Sequence, residues 1–198
     1  MKIIKFTAGL ALIAAVSACS SANPVNRYSP LDTNVTASAP VAVQRNYNVV
    51  DVRVNVPTSL SVSEANSYLP RADIVWRGDP WGNRYEQIEA IFEAGMTRGV
   101  SSIEGDRSVI VDIQVSKFHS LTEKTRYSFG GVHNIKFTMT ILDAQTGAVL
   151  EEPRSISANL DGFGGQQAIV AEQMGQTQKV RITDHLARVI YTELTTPV

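Results

Sequence analysis

The sequence predicts an α+β domain, a largely antiparallel β-sheet of about four to five strands with two helices packed on one face. Three segments, 50–56, 109–116 and 134–142, carry apolar residues at every second position. A turn-forming sequence follows the third segment, and two other segments carry apolar residues three or four positions apart. The alternating pattern is typical of half-buried strands, and the wider spacing is typical of amphipathic helices.

Each strand segment has one apolar and one polar face. In segment 50–56, valine alternates with Asp51, Arg53 and Asn55. Successive side chains of a strand point to opposite sides, so these strands should bury one face and leave the other in water. That arrangement is typical of an antiparallel sheet covered on one side.

The sequence DAQTG at 143–147 predicts a hairpin turn, because it begins with Asp and ends with Gly. Segment 134–142 should therefore pair with 148–152. Pro153 cannot donate a ladder hydrogen bond, so the continuation through 155–160 should be bulged or lie at a sheet edge. The polar segment 119–131 is expected to stand off the body as the end of a long hairpin.

A first helix is predicted over 85–96, where the apolar residues fall on one helical face. Asn83 is its expected N-cap, and Gly99 is expected to end it. Because Ile91 lies on the apolar face, we expect this side chain to be in the core.

A second helix is predicted near the C-terminus, where apolar residues from Val180 to Leu194 form a stripe that includes Ile190. Thr183 or Asp184 would cap a short version of this helix. Alternatively, one helix begins near Gln166 and runs through to the end.

Residues 1–18 have the order of a secretory signal peptide. Two lysines lie within residues 1–5, a mainly apolar run occupies 6–16, and small residues follow. A helix needs about 20 apolar residues to cross a bilayer core, so this run is too short for a lasting span. The only cysteine of the chain, Cys19, comes directly after it.

The sequence Val16-Ser17-Ala18-Cys19 resembles the lipobox of bacterial lipoproteins. The resemblance implies cleavage before Cys19 and attachment of acyl chains to this residue, which would anchor the protein firmly in a membrane. Ser20 follows the cysteine and, by resemblance to enterobacterial lipoproteins, points to the outer membrane, facing the periplasm. The alternative is an ordinary secretory signal followed by a free thiol.

The rest of the chain divides into a tether and one domain. Residues 19–46 should form the lipidated N-terminus and a flexible tether, because Ser, Ala, Asn, Thr, Val and Pro dominate and neither strand nor helix periodicity is present. Residues 47–198 should form a single periplasmic domain, long enough to bury a stable core.

Composition and motifs exclude several kinds of function. The formal net charge is −1, so nucleic acid is not an expected partner. His119, His133 and His185 are far apart in sequence and the chain has a single cysteine, so no metal or other cofactor is expected. The first two histidines could still meet across the long hairpin. Neither a G-x-S-x-G motif nor a P-loop is present, and we assign no catalytic residue.

The domain is loosely similar to small uncharacterised envelope lipoproteins of alphaproteobacteria, through the sequence DAQTGAVL and the amphipathic C-terminal helix. This resemblance implies a lipoprotein domain but supplies no catalytic motif.

The stretch WRGDPWGNRY, residues 76–85, contains both tryptophans of the chain. Both rings could cap the sheet and fix the start of the first helix. Alternatively, Trp81 with Arg77 or Arg84 forms a partner contact, since Trp and Arg are enriched at binding hot spots. We expect Trp76, which follows two apolar residues, to be buried and Trp81 to be exposed.

Three classes of function follow from these observations. The leading one is a non-enzymatic, lipid-anchored accessory or assembly factor that binds an envelope protein. The second is a periplasmic module for a lipid, glycan or peptide, which would need a concave apolar pocket between helices and sheet. A hydrolase is disfavoured, because the sequence shows no nucleophile and base grouping.

Overall fold

The computed structural model describes residues 45–197. The predicted signal peptide, Cys19 and nearly all of the predicted tether lie outside the described residues. The elements, in chain order, are β1 (Tyr47–Asn55), β2 (Ile74–Val75), α1 (Arg84–Val100), β3 (Arg107–His119), α2 (Glu123–Arg126), β4 (Gly131–Asp143), β5 (Val149–Ser157), β6 (Leu160–Gly162), α3 (Gly165–Gln173) and α4 (Gln178–Thr195).

The four main strands form a mixed sheet in the order β1-β3-β4-β5. β4 is antiparallel to both β3 and β5, as the hairpin sequences predict. β1 is instead parallel to β3, because the chain returns from β1 through α1 before it enters β3. The short strand β2 is also parallel to β3, and β6 pairs with the first residues of β4. The predicted α+β class is confirmed.

A bulge in β1 changes which valines face the core. The register between β1 and β3 shifts between Val49 and Asp51. Val50 therefore points outward and is exposed, whereas Val52 and Val54 are partly buried against the core. The regular alternation of the sequence placed Val50 on the wrong face, because a bulge adds one residue to one strand of a pair.

The core lies between the sheet and the two long helices, α1 and α4. Ile91 of α1 and Ile190 of α4 are both buried, as predicted. Aromatic rings continue this core along the sheet, where Phe92 contacts Phe118 and Phe137 at centroid distances of 6.2 and 5.6 Å. Asn83 caps α1 as predicted, since its side chain accepts a hydrogen bond from the amide of Tyr85.

Gly99 does not end the first helix; α1 continues to Val100. A Cβ atom at Gly99 would lie 2.4 Å from the carbonyl oxygen of Ala187, and one at Gly95 would lie 2.9 Å from the side chain of Leu186. These two glycines therefore allow α1 and α4 to pack closely. The prediction treated Gly99 as a local helix breaker, whereas its role is a tertiary contact.

The C-terminal segment contains two helices, and the N-cap of the second differs from the predicted residues. α3 ends at Gln173, and Gly175 has a positive φ of 76°, so a single continuous helix from Gln166 is wrong. α4 begins at Gln178, and Thr177 is its N-cap, accepting a hydrogen bond from the amide of Val180. Thr183 and Asp184 lie inside the helix.

The polar segment 119–131 does not stand off the body. It contains α2, and its threonines 122 and 125 are buried. Their hydroxyls donate to the backbone carbonyls of Ser67 and Tyr68, at 2.8 and 2.9 Å. These bonds fasten the segment to the loop before β2, a long-range partner that local polarity does not indicate.

β5 lies at one edge of the main sheet and contains Pro153. Its register with β4 shifts between Met139 and Ile141, close to the proline. The predicted edge position and the predicted irregularity are both confirmed.

Candidate functional site

The long strand β3 defines two ends of the domain. Its 13 residues span about 40 Å at about 3.3 Å per residue. At the proximal end, the start of β3 lies beside the start of β1, and Arg45 bonds to the last turn of α4. At the distal end, the last residues of β3 pair with β2. The tryptophan loop at 76–85, the segment around α2 and the turn before α3 all meet at the distal end.

Arg45, which the sequence analysis assigned to the tether, is fixed to the proximal end. Its guanidinium bonds both carboxylate oxygens of Glu151, at 2.6 and 2.8 Å, and donates to the carbonyl of Glu193 at 2.9 Å. Burial tends to raise the pKa of Glu151, but hydrogen bonds from Arg45 and Tyr47 outweigh it and hold the pKa below its usual value. The chain therefore enters the domain at a fixed point.

The two tryptophans have opposite environments, as predicted. Trp76 is fully buried, packs edge-on against Phe118 at 5.5 Å, and donates a 2.8 Å hydrogen bond to Asp79. Trp81 is 78% exposed. A Cβ atom at Gly78 would lie 2.3 Å from the buried indole, so glycine is needed where the chain passes over Trp76.

Arg77 and Arg84 are engaged in ion pairs within the domain. Arg84 is 5% exposed and bonds both carboxylate oxygens of Glu64, at 2.6 and 3.0 Å. Arg77 pairs with Glu123 of α2 and donates to the carbonyl of Glu64 at 2.8 Å. Glu64, Arg77, Arg84 and Glu123, here the ion-pair cluster, join three chain segments. Of the three residues predicted to contact a partner, Trp81 is therefore the one whose side chain is mostly exposed to solvent.

A second exposed apolar surface lies at the distal end, on the segments that Thr122 and Thr125 fasten together. Tyr68 and Phe129 stack at a centroid distance of 5.2 Å, although Phe129 is 72% exposed and the adjacent Leu69 is 78% exposed. Together with the exposed Val132 they form what we call the distal patch, beside a recess of about 160 Å³. The sequence alone does not indicate this patch, because its members come from two segments that are polar overall.

Ser120 and His133 form a hydrogen-bonded pair in the interior. The hydroxyl of Ser120 lies 2.8 Å from Nδ1 of His133 and donates to Oε1 of Gln178 at 3.2 Å, so Nδ1–H of the histidine donates to Ser120. Burial, with added repulsion from Arg181 and Arg126, lowers the pKa of His133 to about 3. Both side chains are buried, which makes the pair a neutral structural link between β3, β4 and α4.

No metal centre is formed within residues 45–197, since these residues contain no cluster of three or more His, Cys, Asp or Glu side chains arranged to hold an ion. His119 lies opposite Asn134 in the β3–β4 pair, and His133 bonds to Ser120 instead. Across the same residues, no helix combines the length and the apolar character needed to cross a membrane.

A groove lies between the turn before α3, α3 itself and the start of α4. Its lining consists of Phe163, Gln166, Gln167, Val170, Ala171, Met174, Gln176 and Arg181, around a volume of about 490 Å³. The groove is on the surface, whereas the space between the helices and the sheet is filled by core side chains. A binding module that needs a pocket between helices and sheet is therefore not favoured by the described core, and the groove offers a different location.

The fold and its distal surface define a small α+β domain in which a mixed sheet is covered by two long helices. The chain belongs to the DUF6778 family, a family of unknown function, whose sequence pattern matches residues 47–198. No curated protein matches the chain significantly.

The solved structures to which the chain is similar include three bacterial proteins of low sequence identity. A candidate lipoprotein of Caulobacter crescentus is 14% identical, with a TM-score of 0.37 over 72% of this chain and 87% of its own. A DUF330-family protein of Xanthomonas campestris is 13% identical, with a TM-score of 0.46 over 79% of this chain and 88% of its own. PelC of Paraburkholderia phytofirmans, crystallised as a dodecamer, is 14% identical, with a TM-score of 0.34 over 79% of this chain and 92% of its own.

Proposed function

We propose that this protein is a lipid-anchored envelope protein whose domain binds a protein partner through its distal end, as a non-enzymatic accessory or assembly factor. The distal patch carries this proposal. Contiguous exposed apolar surface on a soluble domain is typical of an interaction site, and aromatic side chains are enriched in such sites. Trp81 adds a further exposed aromatic ring on a loop held by the ion-pair cluster.

The direction of the anchor supports a partner at the distal end. Acyl chains on Cys19 would hold the N-terminus at the membrane, and the chain enters the domain at Arg45, at the proximal end. The distal patch lies about 40 Å farther along β3, at the end of the domain opposite Arg45. The lipobox resemblance and Ser20 support the outer membrane, facing the periplasm, as the location.

A non-enzymatic role is supported by the environment of the Ser120 and His133 pair. A nucleophile must reach its substrate, and a general base must accept a proton near neutral pH. Ser120 and His133 are both buried, and the lowered pKa of His133 makes it a poor base.

Site-specific photo-crosslinking tests the partner surface. The full-length chain would be expressed in its host with benzoylphenylalanine at Phe129 or, as a matched control, at Tyr191, an exposed aromatic residue on α4 near the proximal end. We expect a discrete protein adduct from position 129 and none from position 191. Leu69→Asp should abolish that adduct without lowering the melting temperature, because Leu69 is mostly exposed.

Equal crosslinking from positions 129 and 191, or an adduct that persists in Leu69→Asp, would contradict the proposal. Absence of any adduct from position 129 and from a second probe at Trp81 would do so as well.

A further inference from the structure

The groove at α3 has the size and lining of a small-molecule site. Its volume of about 490 Å³ falls within the range of about 300–1,000 Å³ that is usual for such sites. Val170 and Met174 of its wall are exposed, the methionine by 73%, while Ala171 at its base is buried. Methionine adapts its shape to different apolar ligands. The wall therefore suits a flexible hydrocarbon chain.

One cation, Arg181, lies at the edge of this apolar wall. Its guanidinium stacks over the ring of Phe163 at 3.4 Å and donates a 2.8 Å hydrogen bond to the carbonyl of Asp161. Within residues 45–197, no carboxylate lies within salt-bridge distance of Arg181. By contrast, its neighbours Arg126 and Lys179 pair with Glu172 and Asp79, at 3.0 and 2.8 Å.

Arg181 is also partly removed from water. Burial lowers its pKa more than the nearby charge of Asp161 raises it, which means that the protein environment as a whole disfavours the charged form. A guanidinium offers five N–H donors, and one carbonyl bond uses few of them. An anion placed at the edge of the groove would accept the others and would offset the loss of solvation.

We propose that the groove binds a single-chain amphiphile, with its acyl chain along Phe163, Val170 and Met174 and its anionic head group on Arg181. An acyl chain lying along Phe163, Val170 and Met174 covers apolar side chains without bringing polar groups that would need partners there. The head group is a carboxylate or a phosphate, since both match the planar guanidinium. The groove and the distal patch share no lining residue, although Gly164, next to Phe163, lies against the backbone of Phe129. The proposal does not depend on a protein partner.

Photoaffinity labelling tests the site in the full-length protein reconstituted in lipid nanodiscs. The probes are diazirine-bearing palmitic acid, the corresponding lysophosphatidylglycerol, and an uncharged monoacylglycerol with the same chain. Adducts would be mapped by peptide mass spectrometry. We expect labelling of peptides that contain Phe163 or Met174 by at least one anionic probe. The fatty acid and the lysophospholipid distinguish a carboxylate from a phosphate head group.

Arg181→Gln should reduce labelling by the anionic probe at least about tenfold, because it removes a charge-assisted hydrogen bond and a factor of ten corresponds to only about 1.4 kcal/mol. The same change should leave the monoacylglycerol unaffected. Lys179→Gln is the matched control, since it removes one positive charge from the same turn of α4 outside the groove. Val170→Asp should reduce labelling by all three probes.

The proposal is overturned if no probe labels the groove, if labelling is spread evenly over the surface, or if Arg181→Gln and Lys179→Gln behave alike in folded protein. A crosslink from benzoylphenylalanine at Met174 to a protein, with no lipid adduct, would overturn it in favour of a protein ligand. None of these results bears on crosslinking at the distal patch, so the two proposals fail independently.

Discussion

At the scale of single residues, burial separates side chains of the same type. Trp76 and Trp81 are five positions apart, yet Trp76, which follows two apolar residues, is fully buried, whereas Trp81, between Pro80 and Gly82, is mostly exposed. Arg84 forms an ion pair with Glu64, whereas the hydrogen bond that Arg181 makes within the described residues goes to a backbone carbonyl. The identity of a residue does not reveal which of these states it adopts; its partner in space does.

The two tryptophans give a matched pair of substitutions. Trp76→Ala should lower the free energy of unfolding by about 3–5 kcal/mol, because it removes a large buried side chain and leaves a cavity. Trp81→Ala should change it by no more than about 0.5 kcal/mol, since the ring is exposed. Denaturant melts followed by circular dichroism measure both values. If Trp81 were the costlier loss, its ring would be a structural cap and its role as a partner contact would be excluded.

At the scale of elements, the contact between α1 and α4 depends on the absence of side chains. Gly95 and Gly99 lie one helical turn apart on the face of α1 that meets α4. Glycine is a poor helix former, so two glycines in one helix weaken it locally. Their close approach to Leu186 and Ala187 offsets that cost by packing the two helices together.

Gly99→Val should therefore destabilise the domain by about 1–3 kcal/mol or more, because the added side chain would overlap backbone atoms of Ala187. Ala94→Val is the matched control on the exposed face of the same helix and should cost no more than about 0.5 kcal/mol, its loss of helix propensity. Thermal and denaturant melts measure the difference. Equal effects of the two substitutions would show that α1 and α4 do not pack through Gly99.

At the scale of the whole molecule, the proposed anchor lies at one end of the domain and the two proposed binding surfaces lie at the other. The lipid would attach at Cys19, and the described domain begins at Arg45, beside the last turn of α4. The groove lies at the opposite end of α4, and the distal patch lies beyond the end of β3. A protein of this kind would present both surfaces to the periplasm.

Cys19→Ser tests the anchor directly. We expect the variant to remain as uncut precursor without acyl chains, because the thiol is their proposed attachment point. Mass spectrometry of the N-terminal peptide should find acyl chains on Cys19 in the wild-type protein and none in the variant. Ser20→Ala is the control and should still be cut and acylated. A mature N-terminus at an unmodified residue other than Cys19 in the wild-type protein would contradict the lipoprotein proposal.

Much of the fold was predictable from the sequence, because strand and helix periodicity report which face of an element is buried. The alternation at 109–116 and 134–142 correctly predicted the strands β3 and β4. The turn at 143–147 correctly predicted the hairpin between β4 and β5. The exposure of Trp81 was also predictable, from the turn-forming residues around it. All of these features depend on residues near one another in the chain.

Features that depend on distant residues were decided by the tertiary structure alone. The parallel pairing of β1 with β3, the outward turn of Val50 and the packing role of Gly99 all involve partners that local patterns cannot name. The distal patch joins Leu69 to Phe129, and the groove joins Phe163 to Arg181, across segments that the sequence separates. Local sequence determines the character of each element, whereas the surfaces that could bind a partner arise where elements meet.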